Sequence, residues 1–269
     1  MSTKYQISNT KYSLTIAWLY PDLMSTYGDR GNIITLQKRC EWRGIKVTII
    51  SLSIASNRQQ LEASDLLFMG GGEDKQQKIV SEDFQKGKNK ALSDLIEKNI
   101  PGLFICGAYQ FLGKYYKEAD GTVVNGLGIL DLHSENPGTK QTRLIGNIAV
   151  KMDSIWDMAN RKTALNDILI GFENHGGRTY LGKKIQPLGK VQMGFGNNGK
   201  DQTEGAIYKN AIGTYLHGPI LPKNPALADW LITKALEVKY NKKIVLQPLD
   251  DSLEEQARKA IAEKLNLTL

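Results

Sequence analysis

The sequence predicts an α/β domain built on a mostly parallel sheet, with antiparallel strands extending it and helices at its C-terminal end. Short apolar strands alternate with helical stretches through the first half, an order that demands crossover connections between parallel neighbours. Two of those strands run directly into glycine turns that open helices. After Gly121 the pattern changes to strand-like runs separated by glycine and asparagine turns.

In order, Ser13 to Leu19 (SLTIAWL) is an apolar strand that breaks at Tyr20-Pro21. Asp29 is placed to cap a helix over about 31–43, with Ile33, Leu36 and Cys40 at helical spacing on one face. Gly44 stops that helix, and Lys46 to Leu52 is the second strand. Asp65 to Met69 runs into Gly70-Gly71-Gly72-Glu73-Asp74 and a long helical stretch to about Lys98. Strand, turn and helix recur at Gly102 to Ile105, Cys106 and Gly107.

The segments 144–152, 167–172, 190–195 and 206–208 read as antiparallel strands, with a turn at Gly196-Asn-Asn-Gly199. Helices follow over about 224–240 and 253–265, and in the last one Glu254 with Arg258 and Glu255 with Lys259 are spaced as i,i+4 pairs on a solvated face. With no Pro-, Gly- or Ser-rich linker and no repeats, the simplest division is a main domain over 12–240 and a C-terminal helical appendage over 241–269.

At 269 residues, 41% hydrophobic and 23% charged, the chain has the composition of a globular protein rather than of a disordered or fibrous one. Its net charge of +7 is spread along the chain with no aromatic-interleaved basic cluster, which argues against nucleic acid. No apolar run approaches the roughly 20 residues of a bilayer span. The polar stretch from Met1 to Lys11 lacks the apolar core of a secretory signal, so the expected location is cytoplasmic. Two cysteines form no disulfide framework, and neither paired-cysteine spacing, HExxH nor an acidic calcium loop suggests a metal.

Cys106 follows the apolar Leu103-Phe104-Ile105 and precedes Gly107-Ala108, a nucleophile-elbow context that aims a thiol out of the sheet beside a helix N-terminus. The competing reading is a small buried hydrophobe, which is how Cys40, inside its helix stripe, is read. A cysteine hydrolase needs a base, and the three histidines are His133, His175 and His217. His217 ends the strand-like run 211–216 and is followed by Gly218-Pro219; His175, in Gly171-Phe-Glu-Asn-His-Gly-Gly177, is the alternative. Backbone N–H groups of Gly71, Gly72 and Gly107 are candidates for an oxyanion hole. The glycines match neither a dinucleotide fingerprint nor a P-loop, so any use of ATP would fall to a partner. Arg143, just before a strand, is a candidate for a substrate carboxylate, gripped through two N–H donors.

Phe104-Ile-Cys-Gly-Ala-Tyr-Gln110, the upstream Met69-Gly-Gly-Gly-Glu73 and Gly213-Thr-Tyr-Leu-His-Gly-Pro219 resemble, in order and spacing, the cobyric-acid-synthase-like class I glutamine amidotransferases. Within that family, Tyr27-Gly-Asp-Arg-Gly-Asn32, Gly171-Phe-Glu-Asn-His-Gly-Gly-Arg178 and His217-Gly-Pro-Ile-Leu-Pro222 look like the glutaminase subunits of lipid II isoglutaminyl synthases. The resemblance spans about 14–235 and implies a flavodoxin-like class I glutamine amidotransferase fold.

It further implies that Cys106 attacks the side-chain amide of L-glutamine to give a γ-glutamyl thioester and ammonia, with His217 as base and acid and Arg143 binding glutamine. The ammonia would pass to a Mur-ligase-like partner of the MurT type, forming a heterodimer that amidates D-glutamate of the lipid II stem peptide to D-isoglutamine during peptidoglycan synthesis. The chain itself would carry no cofactor; ATP and magnesium would belong to the partner, and the lipid substrate would bring the complex to the inner membrane face. Alternatives are the glutaminase component of another amide ligase, such as a cobyric-acid-type synthase, and a non-catalytic subunit that stabilises its partner. Two departures stand out: Pro219 occupies the position where many class I enzymes carry the orienting Glu, and Ala108 replaces a glycine common at the elbow.

Overall fold

The computed structural model describes residues 11–152, 167–265 and 267; the polar N-terminal stretch up to residue 10 and the last residues of the C-terminal appendage lie outside them. At the centre is a six-stranded sheet in the order β13-β14-β4-β3-β1-β2. Its strands are β1 (Ser13–Leu19), β2 (Lys46–Leu52), β3 (Leu66–Met69), β4 (Gly102–Ile105), β13 (Ala206–Tyr208) and β14 (Ala211–Thr214). All neighbours are parallel except the β13–β14 hairpin. A parallel strand is buried on both faces, which is why β3 and β4 are unbroken apolar runs rather than alternating ones.

Alternation along β4 sends Leu103 and Ile105 to one core and Phe104 to the other. The first core is completed by α1 (Arg30–Glu41), through Ile33, Leu36 and Cys40, and by α7 (Pro225–Tyr240), through Leu227, Leu231 and Leu236. The second is covered by α2 (Arg58–Glu62), through Leu61, and by α3 (Asp74–Asp83), α4 (Asn89–Glu97) and α5 (Gly107–Leu112). Cys40 is fully buried in the first core, and burial pushes its thiol up to about 12, so it is inert packing.

Three sequence expectations need correction. The stretch from Asp74 to Lys98 is not one helix: it is broken between α3 and α4 by a π-helical turn at Phe84–Lys88, where Gly87 adopts φ 123°, a conformation costly for other residues. The antiparallel strands extend the central sheet by β13 alone. The others form two separate four-stranded sheets, β10-β7-β5-β6 and β12-β11-β8-β9. In the first are β5 (Tyr115–Lys117), β6 (Val123–Asn125), β7 (Leu132–Glu135) and β10 (Arg178–Leu181); in the second are β8 (Leu144–Met152), β9 (Ile168–His175), β11 (Gly189–Met193) and β12 (Thr203–Glu204).

The third correction concerns Arg258 in α8 (Ser252–Lys264), which is not on a solvated face. It is 3% exposed and donates to the carbonyls of Lys223 and Ile168 at 2.8 and 2.7 Å and to Asn224 Oδ1 at 2.6 Å. Together with the ion pair from Arg39 to Asp251 at 2.6 Å, these bonds hold α8 against α1 and against α6 (Ile220–Lys223). Among the described residues no helix is long and apolar enough to cross a membrane.

Candidate active site

Cys106 stands where β4 passes into α5, and its backbone is held at φ 51°, ψ −104°. A β-carbon makes that region unfavourable, and strain of this kind persists only where the surroundings enforce it. Here Cys106 N–H donates to Thr214 O on β14 at 2.8 Å and its carbonyl accepts from Gln110 N–H at 2.9 Å, so strand and helix both clamp the turn. Gly107 has no room for a side chain: a β-carbon would lie 2.8 Å from both Gln77 Nε2 and Gly72 O. Ala108 fits, buried in the second core.

His217 follows β14 and is fixed by paired backbone bonds with Phe172, 2.7 and 3.3 Å long. Its ring is fully buried beside the Cys106 sulfur, and its Nδ1 faces Asp29 Oδ1 at 3.6 Å. That separation exceeds a hydrogen bond, so the carboxylate acts on the ring through its charge. Burial opposes the charged ring, but the Cys106 sulfur in its anionic form and the Asp29 carboxylate outweigh it and raise the pKa to about 10. The arrangement therefore sets a charge-stabilised imidazole between the elbow sulfur and a carboxylate, the order of groups a cysteine nucleophile and its base require.

Asp29 is the residue that sequence reasoning assigned wrongly. It occupies the helix-cap position of α1 but makes no side-chain cap bond. Its Oδ2 instead accepts from Gly71 N–H at 2.7 Å while Oδ1 turns to His217. The surrounding 27–32 motif explains itself in the same way: Asn32 Oδ1 accepts from Leu221 N–H at 2.9 Å, and Gly31 lets the first turn of α1 press against Pro219. Pro219 thus packs on the first turn of α1, and Asp29, the residue just before that helix, brings a carboxylate to the His217 ring. The one acidic residue of 27–32, set between Gly28 and Gly31 at a helix start, was the available signal.

The glycine candidates separate. Gly71 N–H is committed to Asp29, so its proposed role as an oxyanion donor is corrected: the residue is small because a β-carbon would lie 2.6 Å from Thr26 Oγ1 and 3.0 Å from His217 Cε1. Gly72 lies in the cavity wall beside Cys106. Gly107 opens α5, where the first N–H groups have no intrahelical acceptor. Those two remain the donors available to a developing oxyanion.

The cavity above Cys106 has a volume of about 680 Å³ and is walled by Asp74, Tyr116, Asn136, Arg143 and His175 among others. Arg143 is on its rim, but its Nε and Nη2 donate to Asn174 at 3.0–3.1 Å, and Asn174 in turn donates to Tyr27 Oη at 3.2 Å. The two-pronged edge anticipated for a substrate carboxylate is therefore taken by Asn174, while Nη1 lies beside Gly176 of the cavity wall.

His175 is not brought to the sulfur as His217 is. Its ring stacks on Tyr215 at 3.6 Å, Nδ1 bonds Gly177 O at 2.8 Å, and burial lowers its pKa. His133 is stacked between Tyr115 and Tyr180 in the sheet containing β7. Among the described residues no cluster of ligating side chains suits a metal ion.

Residues 15–225 match the CobB/CobQ-like glutamine amidotransferase domain. The chain is 41% identical over 95% of its length, and 97% of the relative's, to the lipid II isoglutaminyl synthase (glutamine-hydrolyzing) subunit GatD of Staphylococcus aureus. It is 38% identical to the protein of the same name from Streptococcus pneumoniae, over 92% of this chain and 90% of that one. Among solved structures, the glutaminase domain of Trypanosoma brucei CTPS with bound acivicin superimposes with a TM-score of 0.53 at 12% identity, covering 87% of this chain and 96% of that one. A glutamine amidotransferase from Thermotoga maritima gives 0.51 at 16% identity, covering 94% of each; both likenesses concern the fold. With an elbow cysteine, a buried histidine and a family match across most of its length, the chain belongs to the CobB/CobQ-like glutamine amidotransferases, in the branch that contains the GatD subunits.

Proposed function

We propose that the chain is the glutaminase subunit of a lipid II isoglutaminyl synthase, hydrolysing L-glutamine to glutamate and ammonia for a partner ligase. The observation that carries this reading is the convergence of the buried His217 and Asp29 on Cys106, which lines a polar cavity.

The Cys106 thiolate adds to the amide carbon of glutamine, and the resulting oxyanion takes hydrogen bonds from the N–H groups of Gly72 and Gly107. His217, held by Asp29, gives its proton to the departing nitrogen, so that ammonia leaves and a γ-glutamyl thioester remains. Water then attacks the thioester, passing a proton to the same ring; glutamate is released and the thiolate–imidazolium pair is restored. Arg143, at the cavity rim, would meet the α-carboxylate through Nη1, a role that its place in the cavity lining supports.

The relatives' names support a partner subunit and lipid II as the acceptor. A MurT-type, Mur-ligase-like partner would use ATP and magnesium to activate the α-carboxyl of D-glutamate in the stem peptide, which ammonia from this chain converts to D-isoglutamine. Its need for ATP fits a cytoplasmic location at the membrane face that carries lipid II.

The test is amidation by the complex of this chain with its ligase, supplied with either glutamine or ammonium. Cys106→Ala is expected to lower glutamine-driven amidation by about a thousandfold or more and to leave ammonium-driven amidation intact. Normal glutamine-driven amidation by the variant would establish a scaffolding subunit instead, and loss of both activities in an intact complex would refute the proposal.

A further inference from the structure

Asp74 is the first residue of α3 and follows directly from the glycine turn after β3. Its half-buried carboxylate lines the cavity that contains Cys106 and Arg143. Beside it stands the Tyr116 hydroxyl, which accepts from Asn136 Nδ2 at 3.3 Å, and both of those residues also line the cavity. Among the described residues no lysine or arginine pairs with Asp74, although the cavity walls carry the Arg143 guanidinium and the exposed Lys75; the neighbouring Glu73, also at the wall, is exposed where Asp74 is half-buried. Burial pushes the Asp74 carboxyl upward in pKa, offset only in part by Tyr116 and by the charge of Arg143. A partly desolvated anion of this kind, open to a binding cavity, lacks a cation.

A free amino acid bound by its side-chain amide presents two opposite charges on one carbon, a carboxylate and an ammonium. Arg143 offers a donor for the first only. We infer that Asp74 receives the α-ammonium of the substrate, assisted by the Tyr116–Asn136 pair, so that Arg143 and Asp74 together read the zwitterionic head group and select free glutamine over amides lacking either charge. The inference rests on the glutaminase reading above. It makes Asp74 a specificity-determining residue, away from the bond that breaks.

An acidic residue in the first turn of a helix is also favoured by the helix dipole. That role alone would change the stability of the fold and leave substrate discrimination untouched. The experiment therefore measures a ratio within each variant, which does not depend on the fraction of protein that is active. Steady-state ammonia release by the chain in complex with its ligase is compared for L-glutamine, 4-carbamoylbutanoate, which lacks the α-amino group, and 4-aminobutanamide, which lacks the α-carboxylate.

Wild type is expected to prefer glutamine over both analogues. Asp74→Asn should raise KM for glutamine about tenfold or more, leave kcat within about threefold, and bring the preference over 4-carbamoylbutanoate down by a similar factor. Its preference over 4-aminobutanamide should persist. Arg143→Gln should show the reverse pattern. An Asp74→Asn enzyme that keeps the wild-type preference over 4-carbamoylbutanoate overturns the inference while leaving the glutaminase reading standing. A wild-type complex that releases no ammonia from glutamine overturns both.

Discussion

His217 and His175 sit in the same fold under nearly the same conditions and do opposite things. Both rings are buried, at 0% and 1% exposure, and each faces a buried carboxylate, Asp29 at 3.6 Å and Glu173 at 3.7 Å. Yet the pKa of His217 is raised to about 10 and that of His175 is lowered. At His217 a second anion, the Cys106 sulfur, adds to the carboxylate. At His175 the carboxylate is already engaged: Glu173 accepts from the N–H groups of Phe195 and Gly196 at 2.7 and 2.9 Å, and the nearby Arg178 further disfavours a charged ring. Burial beside a carboxylate does not by itself make a histidine a base; the second charge decides whether desolvation wins.

The strongest way to break this comparison is to remove each ring in turn. His217→Asn should lower kcat for glutamine hydrolysis by about a thousandfold or more, whereas His175→Asn should cost about tenfold or less, measured as ammonia release at saturating substrate. Equal losses would make the two rings functionally equivalent and remove the distinction drawn from their charges.

Next in size is a contrast of the two carboxylates. Asp29→Asn should reduce kcat by about 10² to 10⁴, because the amide no longer stabilises the charged ring although it can still accept from Gly71. Glu173→Gln should instead cost about 1–3 kcal/mol of stability, through its weakened grip on two buried N–H groups, with kcat of the folded fraction near wild type. Urea unfolding set beside steady-state kinetics separates the two outcomes.

The smallest effect is in the pH dependence of stability. A ring whose pKa rises from 6.5 to about 10 on folding stabilises the native state fully below about pH 6.5, and that stabilisation is lost as pH climbs through the folded value. His175, whose folded pKa is lowered, contributes the opposite sign: its burial destabilises the fold as pH falls below about 6.5. Thermal midpoints should therefore decline between about pH 7 and 10. Cys106→Ala should flatten that alkaline decline, and His175→Asn should flatten the acid side. Unchanged profiles in both variants would show that neither ring is coupled to folding as described.

Much of the site could be read from local sequence. The apolar run 103–105 meeting Cys106-Gly107 marks a strand-to-helix elbow because strand burial and a close backbone turn leave their signatures in adjacent residues. Cys40 declares itself as core by its spacing with Ile33 and Leu36 on one helix face. His217 was distinguishable from His175 only slightly, since both lie in glycine-rich segments at strand ends.

The sequence by itself determined the strands of the parallel core, the helices that cover them and which cysteine stands at an elbow, because those properties depend on neighbours within about four residues along the chain. Tertiary structure alone decided where the strands assort into three sheets, that Arg258 is buried against Ile168 and Asn224, and that Gly71 donates to Asp29 rather than to a substrate. It also decided the carboxylate behind His217. At the start of a helix, Asp29 has a sequence context that satisfies a cap equally well. Only the parallel order of β1, β3, β4 and β14 brings the loop before α1, the glycine turn after β3, the elbow and the end of β14 to one edge of the sheet. Charges separated by most of the chain become partners there because the sheet sets their distance.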